Sequence, residues 1–362
     1  MGSAQMYKLG DVTKKFTRDN IEEIYFDRIK TGFDNLDYIL GGGLAPGLTV
    51  LGAISNLGKS TFVLQLAQNV AKSGTPVLFF SMEMPASRIA SKAISRQMFL
   101  QHGKVEKNCA ITSNNLLTKE YMDRLSKEQW EKVEIARACI EKETENLCII
   151  EGGEGMSSAK DIYNFVKNYV TAQWEDGKKV KPLVIIDYLQ ILTSDVTGGR
   201  RFEVDDNVRI LKQLTSMRMD YEDVATGEGS GLAVIAISSI GRSFYDKKMS
   251  LDAFKESGNI EYSADVVLGM ELANATDQAS MNVEKSKFVR KVNIIPLKQR
   301  YGMCGSAACF NYYAKYDCFM DPAIPFDNGD ENDGFDEENV VCEVQPEKAL
   351  PKHNRMKLPK MI

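Results

Sequence analysis

One segment determines the architecture that this chain is expected to adopt: Leu48-Thr49-Val50-Leu51-Gly52-Ala53-Ile54-Ser55-Asn56-Leu57-Gly58-Lys59-Ser60-Thr61. It opens with an apolar run typical of a β-strand and passes through a tight loop. Phe62, Val63, Leu66 and Val70 then follow at helical spacing. Strand, loop and helix in this order are what a phosphate-binding loop requires. The sequence therefore predicts a site for a nucleoside triphosphate.

Each polar residue of this loop has an expected role. Lys59 would bring a positive charge to the β- and γ-phosphates, and the Ser60 hydroxyl would hold Mg²⁺. The common motif has Gly where this chain has Ala53, and Ala is compatible there if its backbone stays outside the left-handed region. The residues expected to surround the phosphates are Ala53, Ser55, Asn56, Leu57, Gly58, Lys59, Ser60 and Thr61.

Composition indicates an ordinary globular protein. The chain has 362 residues, of which 43% are hydrophobic and 26% charged, enough for one large α/β domain with appendages or for two small domains. No run of 18 apolar residues and no secretion leader occurs, so we expect no membrane partner and a cytoplasmic location. The seven cysteines form no CxxC pair and only two histidines occur, which leaves few ligands for zinc and predicts reduced thiols.

Charge is unevenly distributed along the chain. The net charge of −5 argues against a protein that coats nucleic acid with a large basic surface, although a locally basic channel remains compatible with it. Residues 327–347 are strongly acidic and residues 348–360 are basic. We predict a polar arm at residues 1–27, a core at 28–320 and a mostly disordered tail at 321–362.

A carboxylate follows the second predicted strand, residues 76–81. Glu83 lies two residues past its end, on the edge where open α/β sheets bind their ligands. It would orient or deprotonate a water facing the γ-phosphate. The alternative is that Glu83 only complements the dipole of the helix that starts near Ala86. Position alone does not separate these two hypotheses.

The run Leu183-Val184-Ile185-Ile186-Asp187 is a wholly apolar strand that ends in an acid. Continuous apolar character is typical of a central parallel strand with both faces covered. In a phosphate-loop ATPase, an acid at this place makes the second contact to Mg²⁺, usually through water. Asp187 is therefore the second predicted metal-site residue, with Ser60.

The remaining pattern alternates strands and helices. Residues 86–145 are predicted to be mostly helical, with a buried stripe formed by Leu125, Trp130, Val133, Ala136 and Ile140. Further helices are expected at 161–174 and 203–219, and further strands at 147–150, 231–239, 264–270, 289–297 and 307–313. This alternation predicts an α/β fold with a mostly parallel central sheet flanked by helices.

Two predicted loops carry residues suited to nucleic-acid phosphates. The loop at 193–202 contains Arg200 and Arg201, which would contact a phosphate backbone or remain solvated. The segment 246–263 contains Lys255 and Gly258, where a lysine and exposed backbone N–H groups can meet phosphates.

Seven short motifs together carry a resemblance to a known family. They are Thr31-Gly32-Phe33, Gly42-Gly43-Leu44, Gly58-Lys59-Ser60, Ser81-Met82-Glu83-Met84, Asp187-Tyr188-Leu189-Gln190, Glu256-Ser257-Gly258-Asn259-Ile260-Glu261 and Lys298-Gln299-Arg300-Tyr301-Gly302. In this order, over roughly residues 28–320, the chain resembles the ATPase domain of the DnaB-type bacterial and phage replicative helicases. The Asp-Tyr-Leu-Gln and Glu-Ser-Gly-x-Ile-Glu strings are the most specific of them.

The resemblance implies a RecA-like core that assembles into a ring, usually a homo-hexamer, with ATP between subunits and single-stranded DNA in the pore. It implies that Glu83 activates water, that Asp187 serves the metal and that Gln190 belongs to the nucleotide site. Arg300, with Lys298, would reach into the neighbouring site as a finger worth about 10³–10⁵ in turnover. The residues implied to line the pore are Arg200, Arg201, Lys255, Glu256 and Gly258. A helicase loader or primase is an implied partner.

The chain departs from the family pattern at three places. Only about thirty residues precede the ATPase motifs, so we expect the primase-docking N-terminal domain to be missing. Ser239 stands where the family has a γ-phosphate-sensing Gln, and the loop after Arg300 lacks the usual proline. ATP hydrolysis therefore follows more directly than unwinding does. Two alternatives stay open: a regulatory or recombination ATPase resembling RecA, RadA or KaiC, and an ATP-binding partner subunit of a true helicase.

Overall fold

The computed structural model describes residues 8–14, 17, 28–102, 110–176, 180–217, 231–241, 244, 248–254, 258–275, 277–300, 302, 304 and 306–322. Strands in the described part form one sheet. They are β1 (Gly47–Ala53), β2 (Val77–Ser81), β3 (Leu147–Glu151), β4 (Leu183–Asp187), β5 (Ala233–Ser239), β6 (Val266–Leu272), β7 (Arg290–Gln299), β8 (Ala308–Tyr313) and β9 (Cys318–Met320).

The sheet has the order β3-β2-β4-β5-β1-β6-β7-β8-β9, and its first six strands are all parallel. The phosphate-loop strand β1 lies between β5 and β6, where both of its edges are paired. Every residue of β1, β2 and β4 is buried, as continuous apolar runs covered on both faces require. The predicted mostly parallel α/β architecture is confirmed.

The described helices flank this sheet or connect its strands. They are α1 (Leu9–Thr13), α2 (Asp34–Ile39), α3 (Lys59–Lys72), α4 (Ala86–His102), α5 (Ser113–Leu116), α6 (Lys119–Met122), α7 (Lys127–Glu143), α8 (Ala159–Glu175), α9 (Arg200–Leu214), α10 (Gly258–Ser263) and α11 (Gln278–Ser286). In the described part of the chain, short 3₁₀ turns occur at Leu189–Ile191, Leu251–Phe254 and Ala314–Tyr316. No described helix has the length and apolarity to cross a membrane.

The sheet continues past β6 as an antiparallel extension, and its last strand was not predicted. β9 is only three residues long, too short to leave a periodic signal. It is held by Gln65 of α3, whose amide accepts the Phe319 N–H at 2.8 Å and donates to the Phe319 carbonyl at 2.7 Å. A buried side-chain amide therefore replaces the neighbouring strand that β9 lacks on this side.

Two predictions about helices are wrong. The helix predicted at 203–219 spans Arg200–Leu214, so Arg200 and Arg201 lie in its first turn and not on a loop. The helix starts early because Gly199, with φ 94°, takes a backbone conformation open to glycine and ends the extended loop there. In α7, Trp130 is 40% exposed, since the helix buries only the narrow face that carries Val133 and Ala136.

Candidate active site

A pocket of 1080 Å³ lies at the carboxyl edge of the parallel strands. The residues that follow β1, β2, β4 and β5 all contribute to its wall, because parallel strands bring their carboxyl ends to one edge. Its volume slightly exceeds the roughly 300–1,000 Å³ typical of small-molecule sites. Among the predicted residues, those lining it are Ser55, Asn56, Gly58, Lys59, Ser60, Thr61, Glu83 and Asp187.

The loop between β1 and α3 has the backbone geometry of an anion cradle. Asn56 and Gly58 have φ of 64° and 96°, and Gly58 leads directly into α3. Backbone N–H groups at such a turn and at a helix N-terminus favour a bound anion. Ala53 ends β1 in extended conformation, which explains why Ala is tolerated there. At Gly52, by contrast, a Cβ would lie 2.2 Å from the Phe254 ring.

Lys59 turns back over the loop. Its ammonium donates to the carbonyls of Ala53 at 2.9 Å and Ile54 at 3.0 Å. Burial lowers the pKa of this ammonium to about 8, although the carboxylates of Asp187 and Glu83 act in the opposite direction. The positive charge of Lys59 therefore lies beside the loop in partly desolvated surroundings, where a phosphate oxygen would interact with it strongly.

Ser60 and Asp187 meet at the base of the pocket. The Ser60 hydroxyl donates to Asp187 Oδ1 at 3.1 Å, while Asp187 Oδ2 is buried and has no hydrogen-bond partner among the described residues. Burial raises the pKa of the Asp187 carboxyl to about 6. A hydroxyl and a carboxylate with an unused oxygen are a donor set that fits Mg²⁺, which prefers few protein oxygens together with water and phosphate. The residues present fit the predicted metal.

Glu83 lies on the rim of the same pocket and is exposed. The alternative role at the start of α4 belongs to another residue, because Glu151 of β3 accepts the Ala86 N–H at 2.7 Å. This hydrogen bond weakens the hypothesis that Glu83 merely satisfies the helix terminus. Its position beside Lys59 and Asp187 is the one that the water-activating hypothesis needs.

A cation that the sequence analysis missed faces the loop from α4. The Lys92 ammonium contacts Thr61 Oγ1 at 3.2 Å and forms a close ion pair with Asp317. Asp317 is buried just before β9, where it also accepts the Ser113 hydroxyl at 2.7 Å. Lys92 and Asp317 both line the pocket. No motif spacing indicated them, since Thr61 and Asp317 are 256 residues apart.

Another part of the pocket wall comes from β7 and β8, and no sequence motif connected these strands to the site. Tyr312 stacks on Phe319 with ring centroids 4.0 Å apart, and the Arg290 guanidinium lies 5.9 Å from the Tyr312 ring. Burial raises the pKa of Tyr312 to about 12. A Cβ on Gly58 would come within 2.9 Å of Tyr312, so this ring packs directly on the phosphate loop.

Gln190 does not line the pocket but fixes one of its walls. Its amide accepts the Ser239 N–H at 3.0 Å and donates to the Ser238 hydroxyl at 2.8 Å and the Ser239 carbonyl at 3.3 Å. Ser239 itself faces the pocket. The amide therefore joins the turn after β4 to the end of β5. Leu57, another predicted site residue, is 1% exposed and packs in the core.

Lys298 and Arg300 lie outside the pocket, near the end of α10. The Lys298 ammonium donates to the carbonyls of Glu261 at 2.5 Å and Ala264 at 2.7 Å. Arg300 donates to the Tyr262 carbonyl at 3.2 Å and contacts Asp265 at 3.3 Å. Within one chain these two residues therefore stabilise α10 and do not contact the phosphate loop.

Of the predicted DNA-contacting residues, those that the structure describes belong to two helices, α9 and α10. Arg200 begins α9 and pairs with Glu203 at 3.4 Å, and both Arg200 and Arg201 are exposed at the helix N-terminus. Gly258 is the first residue of α10, a helix that packs against α9. Lys255 and Glu256 lie outside the described residues, so their predicted contacts with DNA stay predictions.

The chain is similar in sequence to known replicative helicases. A family model described as the DnaB-like helicase C terminal domain matches residues 28–321. The replicative DNA helicase DnaC of Bacillus subtilis is 26% identical over 86% of this chain and 62% of its own length. The replicative DNA helicase DnaB of Geobacillus stearothermophilus is 28% identical over 86% of this chain and 61% of its own length. The chain thus spans about three-fifths of these relatives.

Two solved structures are similar in fold. One is an ATPase domain, which superposes with a TM-score of 0.67 at 19% identity, covering 88% of this chain and all of that one. The other is a DnaB-like replicative helicase, studied with its interactions with primase, which gives a TM-score of 0.65 at 20% identity over 86% of this chain and 65% of that one. The fold is RecA-like, as the resemblance implied. Because the family model covers most of its length, the chain belongs to the DnaB-like helicase C-terminal domain family.

Proposed function

We propose that this chain is an ATP-dependent DNA helicase or translocase of the DnaB type, which hydrolyses ATP at the subunit interfaces of a ring around single-stranded DNA during replication. The observation that carries the proposal is the meeting of Lys59, Ser60, Glu83 and Asp187 in one pocket. These four residues come from three separate strand ends, and together they supply a phosphate-binding cation, a metal site and a base.

In this proposal the loop binds the triphosphate. Phosphate oxygens replace the Ala53 and Ile54 carbonyls as partners of the Lys59 ammonium, and the N–H groups from Ser55 to Thr61 surround them. Ser60 and Asp187 hold Mg²⁺, which, when bound, neutralises charge that develops on the phosphates. Lys92 adds a second cation beside Thr61.

Glu83 acts as the base in this scheme. From the exposed rim it accepts a proton from the attacking water, while Lys59 and Lys92 stabilise the charge on the phosphates. Replacing it by Gln keeps the shape and removes the basicity. We therefore expect Glu83→Gln to bind ATP normally and to lose hydrolysis by about 10²–10⁴-fold.

Arg300 and Lys298 are proposed to complete the site of the neighbouring subunit, because they lie away from the pocket of their own chain. Arg300 is 44% exposed, as a residue that meets a neighbour must be. Arg200, Arg201, Lys255, Glu256 and Gly258 are proposed to face the strand in the pore. The ring is proposed to be a homo-hexamer, and a loader or primase a further partner.

The decisive measurement is ATP hydrolysis with and without single-stranded DNA, with Glu83→Gln as the blank. Stimulation by DNA that Glu83→Gln abolishes would support the translocating motor and call for a strand-displacement assay. Hydrolysis indifferent to DNA would favour a regulatory ATPase. ATP binding without turnover would favour a partner subunit and contradict the proposal.

Mixing experiments test the proposed finger. Arg300→Ala, titrated into the wild type, should reduce activity more than in proportion to its fraction, because each altered chain disables its neighbour. Arg137→Ala is the matched control, since Arg137 is 54% exposed on α7 and its ion pairs with described residues go to the surface acids Glu134 and Glu141. A linear loss of activity with the fraction of Arg300→Ala would argue against action across an interface.

A further inference from the structure

A basic cleft borders the nucleotide pocket on its Tyr312 side. Its lining includes four cations, Lys285, Lys287, Arg290 and Lys315, and the cleft has a volume of 410 Å³. It shares Arg290 and Ala314 with the nucleotide pocket, so the two cavities adjoin. We call this the basic cleft. It lies at the carboxyl edge of the sheet, where α11 leads into β7 and where β8 ends.

The charge of the basic cleft is mostly uncompensated within the described residues. Lys287 pairs with the buried Glu284 at 2.6 Å, and no acidic residue is among those that line the cleft. Four cations less one paired acid leave a local charge of about +3 in a chain whose net charge is −5. A cleft of this sign selects an anionic occupant.

An exposed aromatic side chain at the basic cleft sets a second requirement for the molecule that binds there, besides negative charge. Phe288 is 52% exposed, and its ring is held edge-on by Tyr313 at 5.9 Å and Tyr316 at 6.2 Å between centroids. Its outward surface is therefore a fixed apolar face surrounded by lysines. The occupant that fits is an acidic peptide with an aromatic or aliphatic residue among its carboxylates.

This chain contains such a peptide. Residues 327–347 hold nine acidic side chains and no Lys or Arg, and Phe335 lies between Asp333 and the run Asp336-Glu337-Glu338. We propose that this acidic segment of the same chain docks in the basic cleft, with Phe335 against Phe288 and the flanking carboxylates on the lysines. The segment would then bring negative charge to the mouth of the nucleotide pocket.

The chain is long enough for this docking. In the β8–β9 pair Met320 is opposite Asn311, three residues before Ala314 of the cleft. At about 3.4 Å per residue, Pro322 then lies within about 20 Å of the cleft. The eight residue steps from Pro322 to Asp330 can span up to about 26–29 Å when extended. The most acidic part of the segment can therefore reach the cleft of its own chain.

Zero-length carbodiimide coupling of the full chain, followed by peptide mass spectrometry, tests the contact. The reporter is the yield of amide links between Lys285 and carboxylates of 327–347. We expect these links at low salt and their loss near 1 M salt, where charges are screened beyond about 3 Å. Mixing ¹⁴N- and ¹⁵N-labelled protein should give links within one isotope only. Links between isotopes would overturn docking within a chain.

Matched variants separate docking from chance proximity. Lys315→Glu, Phe288→Ala and Phe335→Ala should each lower the Lys285 yield by about three- to tenfold. Lys127→Glu and Phe202→Ala are the controls, because Lys127 and Phe202 are 93% and 55% exposed at other sites. Equal effects of controls and test variants would overturn the proposal. So would amide links that join the carboxylates of 327–347 mainly to the lysines of 348–360. A Lys285 yield that added single-stranded DNA lowers, but that the three test variants leave unchanged, would also overturn it.

Discussion

Asp265, the residue before β6, joins three parts of the structure, and its replacement gives a quantitative test. Its carboxylate accepts the Leu48 N–H at 2.8 Å, forms a close ion pair with Lys212 and contacts Arg300 at 3.3 Å. Leu48 belongs to β1 and is completely buried. Asp265→Ala would therefore leave a buried N–H without its carboxylate partner and release two cations.

The magnitude follows from the exposure of the partners. An unpaired buried N–H costs about 1–3 kcal/mol. The ion pairs contribute at most about 1 kcal/mol each, since the Lys212 and Arg300 side chains are 31% and 44% exposed and solvent screens them. We expect Asp265→Ala to lower the free energy of unfolding by about 2–4 kcal/mol. Asp265→Asn keeps an acceptor for Leu48 and should lose only about 1–2 kcal/mol.

Urea unfolding of both variants measures this difference, provided that the slope of free energy against urea stays unchanged. Asp123→Ala is the control, because Asp123 is 60% exposed and, among the described residues, forms an ion pair with Lys119 at the surface. It should change the free energy of unfolding by less than about 0.5 kcal/mol. If Asp265→Ala and Asp265→Asn lowered the free energy of unfolding equally, the hydrogen bond from the Leu48 N–H would not be the main contribution of Asp265 to stability.

Three further changes have defined outcomes. Gly52→Ala should lower the stability of the protein in thermal unfolding by about 1–3 kcal/mol, because the new Cβ would lie 2.2 Å from the Phe254 ring. Adding Phe254→Leu to this variant should restore stability, and a double variant that stays destabilised would contradict this cause. Asp317→Asn should retain about 1 kcal/mol more stability than Asp317→Ala, since Asn tolerates the φ of 53° at position 317 better than Ala does. Identical melting temperatures of the two variants would argue against this explanation. Lys298→Met should speed amide hydrogen exchange in α10, because the carbonyls at the end of this helix lose the ammonium that binds them. Unchanged exchange would show that Lys298 does not stabilise the helix end.

The sequence predicted the parts of the site that are coded locally. Lys59 and Ser60 follow from one contiguous strand–loop–helix pattern, and Asp187 from the acid that ends an apolar run. Because parallel strands share a carboxyl edge, the sequence order alone sufficed to expect Glu83 and Asp187 near the loop. The observed pocket contains all four.

The residues that were missed come from chain segments whose proximity depends on tertiary packing. Lys92 lies in the middle of α4, where a lysine on an amphipathic helix normally indicates a solvated face. It faces the pocket because Asp317 is brought next to it by β9, the three-residue strand that Gln65 holds in place. Trp130 shows the opposite error, since helical spacing identifies a face of α7 but does not tell how much of that face another element covers.

Arg300 and Lys298, the two residues proposed to act on a neighbouring subunit, differ in the hydrogen bonds that they make within their own chain. A guanidinium has five N–H donors, and the described contacts of Arg300 go to the Tyr262 carbonyl and Asp265. Arg300 can therefore stay anchored to its own chain while other donors meet a neighbouring phosphate, an arrangement that positions it in advance. An ammonium has only three donors, and those of Lys298 have three carbonyls in reach, of Glu261, Tyr262 and Ala264. For Lys298 to contact a neighbour it must first release the end of α10. We therefore expect Arg300 to supply the finger and Lys298 to position it.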